Sequence, residues 1–157
     1  MNVAIVNRQR SRKINTRLLK QMIGELFSEL KISEAELGII LVGAREMARV
    51  NREFLQHEGS TDVITFDHRD EPLPTDQVHG ELFICVDDAI KQAGEFKTTW
   101  QSEIVRYVVH GVLHLLGYDD LQPHLRRVMK REENRLVRRL EKRFSLAELS
   151  SAGKIGA

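Results

Sequence analysis

The 157-residue chain has a single cysteine and no long apolar run. Cys85 has no partner for an internal disulfide, and its setting in Leu-Phe-Ile-Cys-Val predicts a buried small hydrophobic residue rather than a nucleophile. No stretch approaches the roughly 18 apolar residues that a membrane-spanning helix needs. The N-terminal segment 1–10 is too short and too polar for a signal peptide. We therefore expect a cytoplasmic protein with no membrane association.

Acidic residues are missing from residues 1–20, which carry several arginines and lysines. A second basic segment, residues 126–143, is also dominated by Arg and Lys, although the net charge of the chain is only +1. Two interpretations stay open. The basic ends either form an electrostatic footprint for RNA phosphates or are two solvated helical faces. The salt dependence of RNA binding distinguishes them.

Apolar periodicity predicts a single layered domain of strands and helices over residues 1–144, with a mixed four-stranded sheet. Proline-containing residues 67–79 are expected to form a loop, and residues 145–157 a frayed C-terminal tail. Strands are predicted at 2–7, 36–42, 61–66 and 80–86, and helices at 14–30, 44–55, 87–96, about 100–116 and 123–144. The inward residues of the second helix are expected to be Met47, Val50, Phe54 and Leu55.

His110 and His114 lie four residues apart in one of the most apolar helical stretches of the chain. At this spacing both imidazoles lie on one helix face. Gly117 can adopt the positive φ that ends a helix, which would let Asp120 turn back and supply an oxygen. His-x3-His-x5-Asp then offers three protein ligands and an open fourth position, as catalytic zinc sites do. The alternative is a pair of core histidines; His124 is a weaker candidate ligand.

The spacing resembles that of metzincin peptidases, but Gly111 stands where those enzymes have their glutamate general base. Residues 110–120, HGVLHLLGYDD, more closely resemble the signature of the YbeY family of zinc-dependent endoribonucleases, His-Gly-x-Leu-His-Leu-x-Gly-Tyr-Asp-His. Only Asp120 differs, because it replaces the third histidine. The resemblance implies a small α+β domain whose sheet packs against a central histidine-bearing helix, with Zn²⁺ at His110, His114 and Asp120. An anionic ligand would also favour harder divalent ions relative to zinc.

Residues 50–66 resemble a second signature of that family, and Asn51 and Asp62 are among the matching positions. Leu55 falls where the family has an arginine held to be functionally essential. An arginine near the metal would pair with the scissile phosphate, which leucine cannot do. Arg52 is a candidate substitute, and we expect its loss to reduce cleavage more than the loss of Arg49. Glu81 replaces a family aspartate and is expected to be a surface carboxylate.

The resemblance implies a metal-dependent, single-strand-specific endoribonuclease of rRNA maturation. It also implies association with the small ribosomal subunit, processing of the 16S rRNA 3′ end and a part in ribosome quality control. Asp119 is a candidate to accept the spare imidazole N–H or to orient water, with a solvent-facing turn residue as the alternative. Tyr118 is expected to pack over the site. Two other classes stay open: an RNA- or ribosome-binding factor that has lost nuclease activity, and a metal-dependent hydrolase of a smaller substrate.

Overall fold

A computed structural model describes residues 1–71 and 76–150 of the chain. The elements follow one another in the order β1 Asn2–Asn7, α1 Thr16–Glu29, β2 Glu34–Val42, α2 Ala44–Val50, a π-helical turn Asn51–Leu55, β3 Val63–Asp67, β4 Gln77–Cys85, α3 Val86–Phe96, α4 Trp100–Leu115, α5 Pro123–Arg143 and a 3-10 turn Leu146–Ser150. Strand β4 begins inside the predicted loop 67–79. The two prolines of that prediction, Pro72 and Pro74, lie outside the described residues.

The four strands form one mixed sheet in the order β1-β2-β4-β3. Strand β2 is parallel to β1, with Val3 opposite Leu37, and parallel to β4, with Ile39 opposite Leu82. Strand β3 is antiparallel to β4. The predicted α+β fold with a mixed sheet is therefore confirmed. Among the described residues, no helix is both long and apolar enough to cross a membrane.

Strand β2 distributes its side chains to two cores because successive residues point to opposite faces of the sheet. Ile39 and Leu41 belong to the main core, which also contains the buried face of α4. Ile40 and Val42 belong to a smaller core on the other face, which α2 covers. Cys85 is fully buried in that smaller core, as predicted, and burial raises the pKa of its thiol to about 12.

Gly111 allows α4 to lie close to the sheet. A Cβ atom at this position would come within 2.6 Å of a Leu82 methyl carbon on β4, which is closer than real Cβ contacts allow. The position where a peptidase would carry a catalytic glutamate is therefore a packing position here. His110 and His114, on the same helix, are only partly buried.

Two residues that the helical spacing predicts to point inward are not in the core. Phe54 and Leu55 are 63% and 42% exposed, whereas Met47 and Val50 are buried as expected. The inward prediction fails for this pair because the α-helix changes to a π-helical turn after Val50. A π-helix has more residues per turn, so the α-helical spacing no longer predicts which side chains point inward.

The expected frayed tail is wrong for residues 146–150. These residues form a 3-10 turn whose Leu149 is fully buried in the main core. The backbone N–H of Asn15 donates a hydrogen bond to the Leu149 carbonyl at 2.8 Å, which fixes the turn beside α1. The remaining residues of the predicted tail, 151–157, lie outside the described residues.

Asp87 and Asp88 lie in the first turn of α3, but no side chain caps that helix. Asp87 Oδ2 accepts a hydrogen bond from the Ala44 N–H at 2.7 Å, at the start of α2, where the preceding Gly43 has no side chain. Asp88 Oδ1 accepts one from the Ser60 hydroxyl at 2.8 Å. The tertiary fold therefore directs both carboxylates to neighbouring segments.

Candidate metal centre

Helix α4 carries the two histidines and ends just before the aspartate. The helix begins with a capping box in which Thr99 Oγ1 accepts from the Ser102 N–H. It ends with a turn in which the Tyr118 N–H donates to the Leu113 carbonyl at 3.0 Å and Gly117 has a φ of +101°. A glycine in this conformation reverses the chain after a helix without the strain that a side chain would cause.

This reversal brings the three predicted ligands together. The Nε2 atoms of His110 and His114 are 3.1 Å apart, and their rings meet edge to face at a centroid distance of 4.7 Å. Asp120 Oδ2 is 3.7 Å from the His114 Nε2 and 3.9 Å from the His110 Nε2. These three donors form a cluster that could hold a metal ion.

The donor set fits a divalent cation in both chemistry and spacing. Zinc ligands about 2.0–2.1 Å from a tetrahedral ion are about 3.3 Å from one another. The distances in the cluster, 3.1 to 3.9 Å, bracket that value. Each of the three side chains is partly exposed, so the cluster can be reached from outside. Two imidazole nitrogens and one carboxylate oxygen suit zinc, and the carboxylate also accepts harder ions.

Glu133 of α5 orients His110. Its Oε1 lies 2.8 Å from the His110 Nδ1, so the Nδ1–H donates to the carboxylate and the Nε2 lone pair is free for an ion. Sequence reasoning missed this residue, although a signal was present. Glu133 falls on the apolar stripe of α5, between the buried Met129 and Leu136, where a charged residue needs a partner.

The carboxylate of Glu133 stays ionised although its side chain is only 4% exposed. Burial by itself would raise its pKa, but hydrogen bonds from His110, Arg106 and Lys130 outweigh burial and lower the pKa to about 2. Arg106 Nη1 is 2.6 Å and Lys130 Nζ 3.0 Å from Oε2. Burial and then the neighbouring His110 lower the pKa of His114, which favours the neutral imidazole that binds metals.

The other predicted site residues are placed differently. Asp119 Oδ1 accepts a hydrogen bond from the Leu121 N–H at 2.8 Å, and Glu133 is the partner of the His110 Nδ1–H. The role of Asp119 in orienting water stays a prediction. Arg52 and His124 are exposed, and Tyr118 is partly buried against the main core.

Glu81, which replaces the family aspartate, is 44% exposed, as expected for a surface carboxylate. Its Oε1 lies 2.7 Å from the His68 Nε2, so it forms a surface ion pair when that imidazole is protonated.

Two cavities adjoin the cluster. The α5 cavity, of about 290 Å³, is lined by Asp62, Val63, Gln92, Glu103, Arg106, Tyr107, His110, Asp120, Arg126, Met129, Lys130 and Glu133. The Leu55 cavity, of about 480 Å³, is lined by Leu55, Asp62, Val63, Ile64, Thr65, His110, His114 and Asp120. Both cavities include His110 and Asp120, so the candidate ligands lie between them. Arg52, the candidate substitute for the missing arginine, lines neither cavity.

A family model described as Endoribonuclease YbeY matches residues 4–141. The endoribonuclease YbeY of Chlorobium phaeovibrioides is 37% identical over 120 residues, covering 76% of this chain and 78% of that protein. The endoribonuclease YbeY of Chlorobium luteolum is 34% identical over 140 residues, covering 89% and 98%. The solution structure of TM1509 from Thermotoga maritima matches with a TM-score of 0.68 and 28% identity, covering 98% of this chain and 99% of that one. The chain belongs to the YbeY endoribonuclease family.

Proposed function

We propose that the protein is a metal-dependent endoribonuclease that cleaves single-stranded RNA. The observation that carries this proposal is the convergence of His110, His114 and Asp120 between two open cavities. The relatives named endoribonuclease supply the reaction class. The RNA phosphate that is cleaved must reach a metal cluster whose side chains are only partly exposed. A flexible single strand can bring its backbone to such a site more easily than a rigid duplex can.

Each residue of the centre has a defined role in this proposal. His110, His114 and Asp120 hold the ion, and Glu133 fixes the ring orientation and tautomer of His110. When bound, a zinc ion or a harder divalent ion supplies a Lewis acid that polarises a phosphoryl oxygen and activates water. Asp119 is the candidate to accept a hydrogen bond from the attacking water.

The physiological substrate in this proposal is rRNA, at the 3′ end of 16S rRNA. The protein would act in the cytoplasm on the small ribosomal subunit, in rRNA maturation and ribosome quality control. The family resemblance of residues 110–120 supports this assignment. The exposed basic side chains of segment 1–20 are available for contacts with phosphates.

A second candidate function is RNA binding without cleavage. It is favoured by one observation, the uncharged Leu55 side chain in a cavity that adjoins the metal cluster, because a nuclease benefits from a cation that stabilises charge on the phosphate. In this alternative the fold and the metal cluster are retained and the protein acts as a ribosome-associated factor.

Incubation of zinc-loaded protein with labelled single-stranded and hairpin RNA distinguishes these functions. We expect cleavage of the single strand, loss of cleavage with a chelator and its return with added zinc. Binding that weakens with salt, without cleavage, would replace the proposal with the second candidate. If neither occurs, a metal-dependent hydrolase of a smaller substrate becomes the best assignment.

A further inference from the structure

Cations are distributed unequally around the metal cluster. Arg106, Arg126 and Lys130 line the α5 cavity, whereas none of the described residues that line the Leu55 cavity is an arginine or a lysine. Of the two cavities beside the cluster, only the α5 cavity therefore offers an RNA phosphate arginine or lysine side chains among the described lining residues. Arg126 and Lys130 are exposed residues of α5, and Arg106 belongs to α4.

Two of these three cations are available to a ligand. Arg106 Nη1 is committed to Glu133 and to Asn134 Oδ1, at 2.6 and 2.7 Å. Arg126 uses only its Nε, which donates to the Asp120 carbonyl at 3.1 Å, and its terminal nitrogens have no partner among the described residues. Lys130, one helical turn further on, donates one hydrogen bond to Glu133 at 3.0 Å, but its side chain is 60% exposed and the ammonium keeps two further N–H donors.

The same cavity has hydrogen-bonding groups of another kind. Only 3% of the Tyr107 surface is exposed, and its hydroxyl has no hydrogen-bond partner among the described residues. Burial, and then the nearby Asp62 and Glu103 carboxylates, raise the pKa of Tyr107, so the hydroxyl remains a donor. Gln92 and the buried Glu103 also line the cavity. An unpaired buried hydroxyl beside an open cavity is a group that a ligand can satisfy.

We propose that the α5 cavity binds one nucleotide of the RNA strand, with its phosphate at Arg126 and Lys130 and its nucleoside at Tyr107. This inference rests on the proposed ribonuclease function and assigns the side from which the strand reaches the cluster. A cavity of about 290 Å³ accommodates a small ligand and not a duplex. Terminal nitrogens of arginine and a lysine ammonium bind phosphate, while a hydroxyl, an amide and carboxylates match ribose hydroxyls and base amino groups.

The test is calorimetric titration of the full chain with uridine 5′-monophosphate and with inorganic phosphate, both after zinc loading and after chelator treatment. Two variants, Arg126→Ala and Lys130→Ala, are compared with Arg127→Ala and Arg131→Ala, which remove exposed neighbouring cations that do not line the cavity. A mononucleotide is used because it is small enough to occupy one cavity. The affinity of a longer RNA would also depend on the other basic residues of α5. Zinc content is measured for Arg126→Ala because that side chain touches the Asp120 backbone.

We expect Arg126→Ala and Lys130→Ala each to weaken mononucleotide binding by about five- to ten-fold, and the two controls by less than about two-fold. Tyr107→Phe removes only the hydroxyl and should weaken the mononucleotide but not inorganic phosphate. Equal effects of all four cation variants, or equal affinity for phosphate and mononucleotide, would overturn the inference. RNA cleavage without mononucleotide binding would overturn it and leave the ribonuclease intact. Mononucleotide binding without RNA cleavage would support it and remove the proposed reaction.

Discussion

On one side of the metal cluster, helix α5 contributes a buried carboxylate, Glu133, and the cations around it; on the other side, the π-helical turn contributes Leu55. Both sides share His110 and Asp120, so the ligands alone do not determine how a substrate approaches. The difference comes from which element packs beside α4. The α5 side can orient a ligand and attract a phosphate, while the Leu55 side offers space and little charge.

The strongest test removes the centre that both sides share. We expect His114→Ala to reduce zinc affinity roughly 100-fold or more, because one of three protein ligands is gone. This loss exceeds the effect typical of removing a residue that only hydrogen-bonds to a ligand. Metal analysis after gel filtration and competition with a zinc chelator measure the change. His124→Ala is the control, because His124 is an exposed histidine outside the cluster. Full zinc occupancy in His114→Ala would show that the two cavities do not meet at a metal centre.

A smaller change sharpens the role of the α5 side. Glu133→Gln keeps an oxygen near the His110 N–H but removes the charge that favours a basic ring, so zinc affinity should fall about ten-fold. Calorimetric zinc titration measures it, with thermal unfolding as a check on the fold. Glu132→Gln is the matched control, since Glu132 pairs with Arg135 on the surface. If both variants bind zinc as the original protein does, Glu133 serves only to hold α5 against α4.

The smallest expected effect comes from making the two sides alike. Leu55→Arg places a cation in the Leu55 cavity and should strengthen binding of single-stranded RNA several-fold. The slope of log affinity against log salt should become steeper by about 0.7, the value for one added phosphate contact. Leu121→Arg adds the same charge at a side chain that is 81% exposed and lines neither cavity. Equal gains in both variants would mean that only net charge matters and that the side of the cluster does not.

The candidate ligands could be predicted from sequence because their geometry is local. Four-residue helical spacing places His110 and His114 together, and the positive φ of Gly117 brings Asp120 back within a few residues. Phe54 and Leu55 could not be placed in the same way, because the helix that carries them changes its hydrogen-bonding pattern after Val50. Periodicity assumes one helix type throughout, and this segment has two.

The amino-acid sequence by itself determined the order of strands and helices, the mixed character of the fold and the set of residues able to hold a metal, since these follow from short-range periodicity and turn chemistry. Only the tertiary structure decided that Glu133, 23 residues beyond His110, would hold its ring, and that Arg126 and Lys130 would line a cavity beside it. Those contacts depend on how α5 packs across α4. Packing between helices is set by many side chains at once, so no single stretch of the chain specifies it.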